Sequence, residues 1–295
     1  MGKLEARHVP ENALPVIDIS GLRSADSAVR KSVGDEIRAA CLDLGFMYIV
    51  GHGVSAETRS AVFAETAAFF ALPEERKLAL DMKNSVGNAG YEPMRAQTLE
   101  TGGGNSAMRE NQTMDRCRSA QSDRLNRPRP RCGGGVALSL RLEEDFFADF
   151  CTEPLAGLRL LHYPPQPANA HPDEKGCGAH TDFGGITMLM QDDNGGLQVM
   201  GADGEWLHAP PMADSYIVNL GDMVARWTND TYRSTLHRVV NFSGRERYSI
   251  PFFYSGRLSH EVAALPGCLP DGQTAKYPPT TVEAHMRDMY ARTYV

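Results

Sequence analysis

The second half of the chain is divided into short apolar runs, and glycine, proline, asparagine or aspartate separates each run from the next. Turn residues recur about every ten positions, which is the pattern of many short β-strands joined by turns. Chains of this kind form sandwiches or jelly rolls. The predicted strands are Leu158–Tyr163, Ile186–Gln191, Leu197–Met200, Ser215–Leu220, Met223–Trp227, His237–Asn241 and Tyr248–Tyr254.

Helices are predicted mainly before these strands. Apolar residues recur at three- and four-residue steps over Ser27–Leu44, which predicts a helix with one buried face, and Gly45 ends it. A second helix is predicted over Ser55–Leu72 and a short one over Leu142–Phe150, and a capping-box sequence at Thr280 predicts the start of the last. The fold class is therefore mainly β with flanking helices.

The composition is that of an ordinary globular protein. The 295 residues are 42% hydrophobic and 23% charged, and the net charge of -7 gives no reason to expect a nucleic-acid partner. No apolar run approaches the ~18 residues that a membrane span needs, and the N-terminus lacks an apolar secretory core. Six cysteines without Cys-x-x-Cys spacing are expected to be free thiols. We therefore predict a cytoplasmic protein, and no signal in the sequence sets its oligomeric state.

Two histidines and an aspartate form the first candidate site. His180 and Asp182 are two residues apart, so on an extended strand their side chains would face the same way, and His237 follows in another predicted strand. Two imidazoles and a carboxylate occupy one face of an octahedral metal ion and leave three positions open, as in non-haem Fe(II) oxygenases. Zinc accepts the same residues, but a hydrolytic zinc site needs only one open position. Cys177 is not expected to be a ligand, because a thiolate suits zinc or copper better.

An arginine and a serine after the second histidine form a candidate anion site. Arg247 and Ser249 alternate on one predicted strand, so both face inward together with Pro251 and Phe253. A guanidinium fork and a hydroxyl are suited to a carboxylate. Because a buried arginine without a partner is costly, we expect an anion to bind there.

Three further stretches resemble the motifs of a known family. Leu14–Ser20 and Gly45–Gly53 look like the N-terminal signature of the isopenicillin N synthase-like 2-oxoglutarate/Fe(II)-dependent dioxygenases, and Leu158–Pro165 looks like the strand that leads to their metal site. The resemblance covers roughly residues 10–100 and 136–292. It implies a double-stranded β-helix (jelly roll) with an N-terminal helical part, in one catalytic domain.

The resemblance also implies the cofactors and the reaction. Fe(II) would be bound by the two histidines and the aspartate, and 2-oxoglutarate by Arg247, Ser249 and Tyr163. With O2, such an enzyme hydroxylates or desaturates a small-molecule substrate and releases succinate and CO2. The iron and the bound 2-oxo acid carry the chemistry, while the protein orients them and excludes water.

Less specific roles follow for three other residues. Phe183 and Phe253 are candidate residues of the substrate pocket, and packing in the core is an equally valid role for Phe253. Leu161 stands where the family often has asparagine, so one hydrogen bond to 2-oxoglutarate is expected to be absent.

Residues 101–135 depart from the resemblance. They contain seven arginines against three acids, no aromatic residue, and glycine triplets at 102–104 and 133–135. This composition, without a helical or strand period, predicts an irregular and mobile loop between residues 1–100 and the catalytic core at 136–295. The stretch is either a native arginine-rich loop or the result of a deletion or reading-frame error that replaced a helix. Trypsin is expected to cut first after Arg109, Arg116, Arg118 or Arg124.

Three alternatives use the same residues. An oxidase of the isopenicillin N synthase type would bind a substrate carboxylate at Arg247 and use no 2-oxo acid. An ethylene-forming enzyme would break down 2-oxoglutarate itself. A cupin-like binding protein or a degenerate homologue would hold a metal ion without turnover. Release of succinate and CO2, with and without a second substrate, separates the enzymes from one another.

Overall fold

The protein is described by a computed structural model over residues 14–85, 89–94, 108–115, 133–165, 175–241, 243–270 and 272–293. The helices in these ranges are α1 Ser27–Asp43, α2 Ala56–Phe70, α3 Glu74–Leu78, α4 Gly134–Ser139, α5 Asp222–Trp227 and α6 Val282–Thr293. The strands are β1 Val16–Asp18, β2 Phe46–Val50, β3 Gly90–Glu92, β4 Glu110–Asp115, β5 Leu155–Tyr163, β6 Cys177–His180, β7 Ile186–Gln191, β8 Leu197–Met200, β9 Trp206–His208, β10 Tyr216–Leu220, β11 His237–Val239, β12 Arg247–Gly256, β13 Glu261–Val262 and β14 Thr280–Thr281.

Two sheets form the centre of the fold. The larger has eight strands in the order β1-β2-β10-β7-β12-β5-β4-β3, and the smaller has four in the order β6-β11-β8-β9. Neighbouring strands are antiparallel, except that β1 runs parallel to β2. Buried side chains from both sheets pack together, among them Phe46, Tyr48, Leu161, Ile217, Leu197, Val199 and Val239. This is the predicted jelly roll.

Helices cover the other side of the large sheet. Their buried residues pack in one cluster with Ile17, Met47 and Val218 of the sheet. The helical members of the cluster are Val33, Ile37, Ala40 and Cys41 of α1, Val136 and Ala137 of α4, Met223, Val224 and Trp227 of α5, and Val282 and Met286 of α6. The flanking helices are therefore anchored by apolar burial. None of the described helices is long and apolar enough to cross a membrane.

The first helix begins and ends as predicted. The Asp26 carboxylate accepts a hydrogen bond from the backbone N–H of Ala28, which satisfies one free donor of the first turn. Gly45 follows the last turn with a φ of 65°, and its N–H donates to the carbonyl of Ala40. A Cβ at Gly45 would lie 2.2 Å from the carbonyl oxygen of Arg233, so only glycine fits this C-terminal cap.

The stretch 101–135 is partly regular. Glu110–Asp115 is strand β4, which pairs with β5 over its whole length, and helix α4 already begins at Gly134. The prediction of an irregular segment is therefore wrong for these residues. It failed because β4 carries polar side chains on both faces, and their partners lie on other parts of the chain. The prediction for residues 101–107 and 116–132 lies outside the described residues.

The predicted trypsin sites are also corrected in part. Arg109 is buried, with 6% of its surface exposed, so trypsin cannot reach it in the folded protein. The other three predicted sites, Arg116, Arg118 and Arg124, lie outside the described residues.

Met223–Trp227 forms part of the helix α5 and not the predicted strand. A short apolar run does not distinguish a buried strand from a buried helix. Gly221, the residue before α5, has an extended backbone, and the helix begins directly after it. The N–H groups of Asp222 and Met223 donate to the carbonyls of Asp182 and Gly184, which gives the helix its caps.

The helix predicted over Leu142–Phe150 does not form, and residues 144–150 form successive turns instead. Phe146 and Ala148 donate to carbonyls three residues earlier, which are turn hydrogen bonds. Phe147 and Phe150 are buried, and their rings contact Trp227 at centroid distances of 5.0 and 4.9 Å. Tertiary packing of two rings holds this segment in place of helical hydrogen bonds.

Candidate active site

The two histidines of the candidate site are neighbours on paired strands. His180 is the last residue of β6, His237 is the first residue of β11, and the two are directly opposite each other in the antiparallel register. Their ring centroids are 4.3 Å apart. Asp182 lies in the loop after β6, so the prediction that it shares a strand with His180 is wrong. The carboxylate nevertheless joins the imidazoles, because the loop turns back towards β11.

The three side chains converge on one point. The Oδ1 atom of Asp182 lies 3.9 Å from Nε2 of His180 and 3.8 Å from Nε2 of His237. All three candidate ligand atoms lie within 4.8 Å of one another. The Nδ1–H groups of His180 and His237 donate to the carbonyls of Gly178 and Thr235, at 2.8 and 3.2 Å. These bonds set the tautomer that leaves each Nε2 free to bind a metal.

Only one oxygen of Asp182 faces the histidines. The other, Oδ2, accepts hydrogen bonds from the Thr187 hydroxyl at 2.6 Å and from the Asn219 amide at 2.7 Å. Thr187 lies on β7 and Asn219 on β10, so the large sheet holds the carboxylate from behind. Neither residue was predicted to have this role, and local sequence has no signal for it.

The electrostatics of the site favour a bound cation. Burial opposes the charge of Asp182, but the imidazoles of His237 and His180 and its two hydrogen bonds hold the pKa of Asp182 below its ordinary value. Burial and the neighbouring His180 lower the pKa of His237 to about 4. Burial also disfavours the charge of His180, but the Cys177 sulfur and Asp182 raise its pKa to about 9. The charged carboxylate of Asp182 and the neutral imidazole of His237 are the forms in which these groups bind a metal ion.

The loop that carries Asp182 is held by close backbone contacts. The N–H of Gly221 donates to the carbonyl of Gly185, and that of Asp222 to the carbonyl of Asp182, both at 2.8 Å. A Cβ on Gly221 would lie 2.2 Å from the carbonyl oxygen of Gly184. The backbones of the two loops thus approach closely, and there is no space for a larger residue at Gly221.

A cavity beside the three residues is lined by the inward face of β12. Arg247, Ser249, Pro251 and Phe253 all line it, as the alternation of strand side chains predicted. Arg247 has no solvent exposure, and its two terminal nitrogens donate to the Ser249 hydroxyl at 3.2 Å and to the Gln191 side-chain oxygen at 2.8 Å. Both partners are neutral. The cavity therefore holds a buried positive charge suited to an anion.

The remaining predicted residues lie around the same cavity. The Arg247 guanidinium lies over the Tyr163 ring, 4.7 Å from its centroid. Phe183 and Phe253 also line the cavity, and the carbonyl of Phe183 accepts a hydrogen bond from His285 of α6 at 2.9 Å. Leu161 faces the cavity opposite Ser249, in the position between β12 and β4.

Cys177, which was not expected to be a ligand, and His52 both lie outside the set of three candidate ligands. The Cys177 sulfur lies 3.7 Å from Nδ1 of His180, which is the nitrogen that does not face Asp182. It therefore lies behind the histidine and outside the ligand set. His52 accepts a hydrogen bond from the backbone N–H of Val54 and packs on the Tyr216 ring, so it has a structural role in its loop.

Sequence reasoning missed two arginines that line the cavity. Arg159 of β5 faces it with Asn111 and Glu92 as partners, at 2.8 and 2.5 Å. Arg109 precedes β4 and is also buried in the wall. The alternation of β5, with Leu161 and Tyr163 facing inward, could have identified Arg159. Arg109 had no such signal, because β4 was not predicted.

Comparison with known proteins places this geometry in a family. The model of the 2OG-Fe(II) oxygenase superfamily matches residues 155–256, and that of the non-haem dioxygenase in morphine synthesis N-terminal region matches residues 14–130. The 2-oxoglutarate-Fe(II) type oxidoreductase hxnY of Emericella nidulans is 38% identical over 318 residues, which cover 96% of this chain and 90% of that protein. The chain belongs to the 2OG-Fe(II) oxygenase superfamily.

Solved structures of this superfamily have the same fold. A Neurospora crassa protein, solved in complex with alpha-KG and thymine, superposes with a TM-score of 0.83 at 26% identity, over 96% of this chain and 98% of that one. A putative 2OG-Fe(II) oxygenase family protein of Caulobacter crescentus has a TM-score of 0.78 at 29% identity, over 95% and 99% of the two chains. The jelly-roll prediction is confirmed.

The superfamily also settles the class of reaction. The protein is a 2-oxoglutarate-dependent Fe(II) oxygenase, an oxidoreductase that uses Fe(II), 2-oxoglutarate and O2. Its relatives include the 2-oxoglutarate-dependent dioxygenase citB of Monascus ruber, 37% identical over 95% of this chain and 95% of that protein. The relatives support the main prediction and not the oxidase or the ethylene-forming alternative. The residues of the site fit these cofactors. Two imidazoles and one carboxylate oxygen can bind iron, and the arginine, whose hydrogen-bond partners are neutral, can bind an anion in the same cavity.

Proposed function

We propose that His180, Asp182 and His237 bind the Fe(II) of this oxygenase and that Arg247, Ser249 and Tyr163 bind 2-oxoglutarate. The convergence of the three ligand atoms within 4.8 Å of one another, on the cavity that Arg247 lines, carries the proposal. The set leaves one side open to the cavity, as a facial triad requires. A carboxylate in the Arg247 fork would replace the neutral contacts with charge-assisted hydrogen bonds.

The residues of the chain would orient the reactants and exclude water. When bound, iron and 2-oxoglutarate together activate O2, release succinate and CO2 and oxidise a C–H bond of the substrate. Thr187 and Asn219 would keep Asp182 directed at the metal, and Tyr163 would keep the Arg247 guanidinium in its plane. No residue of the site has to act as a general base.

The prime substrate is proposed to be a small molecule that is hydroxylated or desaturated between Phe183 and Phe253. Both rings line the cavity, and the cation of Arg159 lines it as well. The Arg159 Nε has no partner among the described residues. Apolar rings with one cation suit a compact, planar molecule that carries an acceptor oxygen. The thymine complex of the Neurospora crassa protein supports a substrate of this size and shape.

The proposed site is tested by anaerobic addition of Fe(II) and 2-oxoglutarate. The wild-type protein should develop a weak visible charge-transfer band, and Asp182→Ala should show no band and no bound iron while its circular dichroism remains native. A panel of small molecules is then screened with succinate as the readout. A wild-type protein that binds iron but forms no band would support the non-catalytic binding protein instead.

The cytoplasm is proposed as the compartment of the enzyme. Cys41, Cys151, Cys177 and Cys268 are free thiols in the described part of the chain. Free thiols persist in reducing compartments. Alkylation of the freshly isolated protein tests this, because oxidised cysteines would remain unlabelled until reduction.

A further inference from the structure

The wall of the cavity contains a second arginine next to the proposed 2-oxoglutarate residues. Strand β4 pairs with β5 so that Glu110 is opposite His162 and Asn111 is opposite Leu161. Arg109 is the residue before Glu110. If the antiparallel register is continued by one residue, Arg109 lies beside Tyr163. Because strand side chains alternate, Arg109 faces the same side as Asn111, and it lines the cavity. It is 6% exposed.

Arg109 and Arg247 flank Tyr163 from opposite sides. Tyr163 is opposite Arg247 on β12, and the continuation of β4 lies on the other edge of β5. Neighbouring strands are ~4.8 Å apart, so the two arginine backbones, two strands apart, are separated by about 10 Å. Side chains as long as arginine can meet across that distance. A short dicarboxylate between them would be within reach of both guanidinium groups.

The Arg109 guanidinium lies against Cys177, behind the ring of His180. It donates a hydrogen bond to the sulfur of Cys177, whose Sγ lies 3.7 Å from the ring of His180. Arg247 lies at the other end with Ser249 and Gln191. The two cations therefore lie on opposite sides of Tyr163 in one wall of the cavity.

The charge and polarity of this wall agree with a dianionic ligand. Leu161 offers no hydrogen bond at the position between Ser249 and Asn111. The two guanidinium groups are hydrogen-bond donors on this part of the wall, and 2-oxoglutarate carries a carboxylate at each end. Hydrogen bonds between a guanidinium and a carboxylate are roughly twice as strong as neutral ones.

We infer that Arg109 is a second arginine of the 2-oxoglutarate site and binds a carboxylate of the cosubstrate. The inference rests on the proposed function, because it assumes that 2-oxoglutarate occupies the cavity at Arg247. Arg109 thereby takes over the hydrogen bond that Leu161 cannot make. It acts as a binding residue for the cosubstrate.

The test measures 2-oxoglutarate affinity without turnover. Arg109→Gln and Arg109→Met are titrated with 2-oxoglutarate as anaerobic Fe(II) complexes, with no prime substrate present, and the charge-transfer band is followed. Loss of a charged hydrogen bond should weaken 2-oxoglutarate roughly tenfold to a hundredfold. Iron affinity, measured separately, should change far less. Arg109→Met keeps an apolar stem against Cys177, so it serves if the glutamine variant does not fold.

Arg159→Gln is the matched control, because Arg159 is a partly buried arginine of the same cavity wall, and its partners are Glu92 and Asn111. Its 2-oxoglutarate affinity should stay within about threefold of wild type. The inference is overturned if the Arg109 variants also stay within threefold, or if Arg159→Gln loses as much as they do. If Arg247→Lys also leaves the affinity for 2-oxoglutarate unchanged, the proposed cosubstrate site itself is wrong.

Discussion

At the scale of single residues, the site depends on how each polar atom is shared between partners. One oxygen of Asp182 accepts a hydrogen bond from the large sheet, and the other faces the two histidines. Arg247 is fully buried, and both of its hydrogen-bond partners are neutral, so its interaction with an anion is not weakened by water. The geometry of its fork should therefore matter as much as its charge.

Arg247→Lys should weaken 2-oxoglutarate much more than it weakens iron. Lysine keeps the charge but loses the two-pronged geometry, and the expected loss is about 1–3 kcal/mol, the scale of a charged hydrogen bond. Calorimetric titration of the anaerobic iron complex measures it, with iron affinity as the internal control. Unchanged 2-oxoglutarate affinity together with lost binding of a prime substrate would favour the oxidase alternative.

At the scale of elements, a buried ionic cluster joins β4 to β5 and α3. Glu110 of β4 accepts from Lys77 of α3 and from His162 of β5, both at 2.7 Å, and from the Tyr91 hydroxyl. His162 also contacts Glu246. The cluster explains how a strand with few apolar residues can be buried at this position of the sheet, because its charged side chain has partners on three other elements.

The cluster makes stability dependent on pH in both directions. Burial opposes the charge of Glu110, but hydrogen bonds from His162, Lys77 and Tyr91 hold its pKa at about 2. Its contribution is therefore present above the ordinary value of 4.5 and is lost as the pH falls towards 2. Burial opposes the charge of His162, but Glu110 and Glu246 raise its pKa above 6.5, so that contribution is lost as the pH rises through the raised value.

Glu110→Gln should destabilise the protein by about 3–5 kcal/mol near pH 6, because it leaves Lys77 buried without its counter-charge. The loss should shrink below pH 3, where the wild-type carboxylate begins to take up its proton. Urea unfolding at the two pH values measures both effects. Glu283→Gln on α6 is the control, since the Glu283–Arg287 pair is exposed and should contribute little. A loss from Glu110→Gln that is equal at both pH values would contradict this role for the carboxylate.

At the scale of the whole molecule, the cavity collects residues from distant parts of the chain. Phe46 of β2, Arg247 of β12 and Met286 of α6 all line it. The N-terminal strands β1 to β4 belong to the same eight-stranded sheet as the strands around the site. The N-terminal part and the catalytic core therefore share their hydrophobic packing, and they are expected to unfold together.

Metal and 2-oxoglutarate should raise the unfolding temperature of the whole chain in one transition. Ligands that bind only the folded state stabilise it by about 2.7 kcal/mol at a hundred times the dissociation constant. Calorimetry with Mn(II), which does not support turnover, and 2-oxoglutarate measures the shift. Asp182→Ala should melt in one transition without the shift. A separate, ligand-independent transition of the N-terminal part would contradict a single cooperative unit.

The sequence by itself determined the features that depend on local periodicity. Alternation placed Arg247, Ser249 and Phe253 on one face of β12, and the predicted bounds of β7 and β8 agree with the structure. The C-terminal cap of α1 was readable because Gly45 has the required left-handed backbone. These features could be predicted because a strand repeats its faces every two residues and a helix every 3.6, whatever surrounds it.

Only the tertiary structure decided the features that depend on a distant partner. Asp222–Trp227 is a helix because Asp182 and Gly184 accept its first N–H groups, and the sequence of the run alone does not distinguish it from a strand. Strand β4 was missed because the partners of Glu110 come from Lys77 and His162, far away in the chain. For the same reason Arg109 was predicted to be exposed and is buried. A polar side chain is buried only where the folded chain brings it a partner, and local sequence does not contain that information.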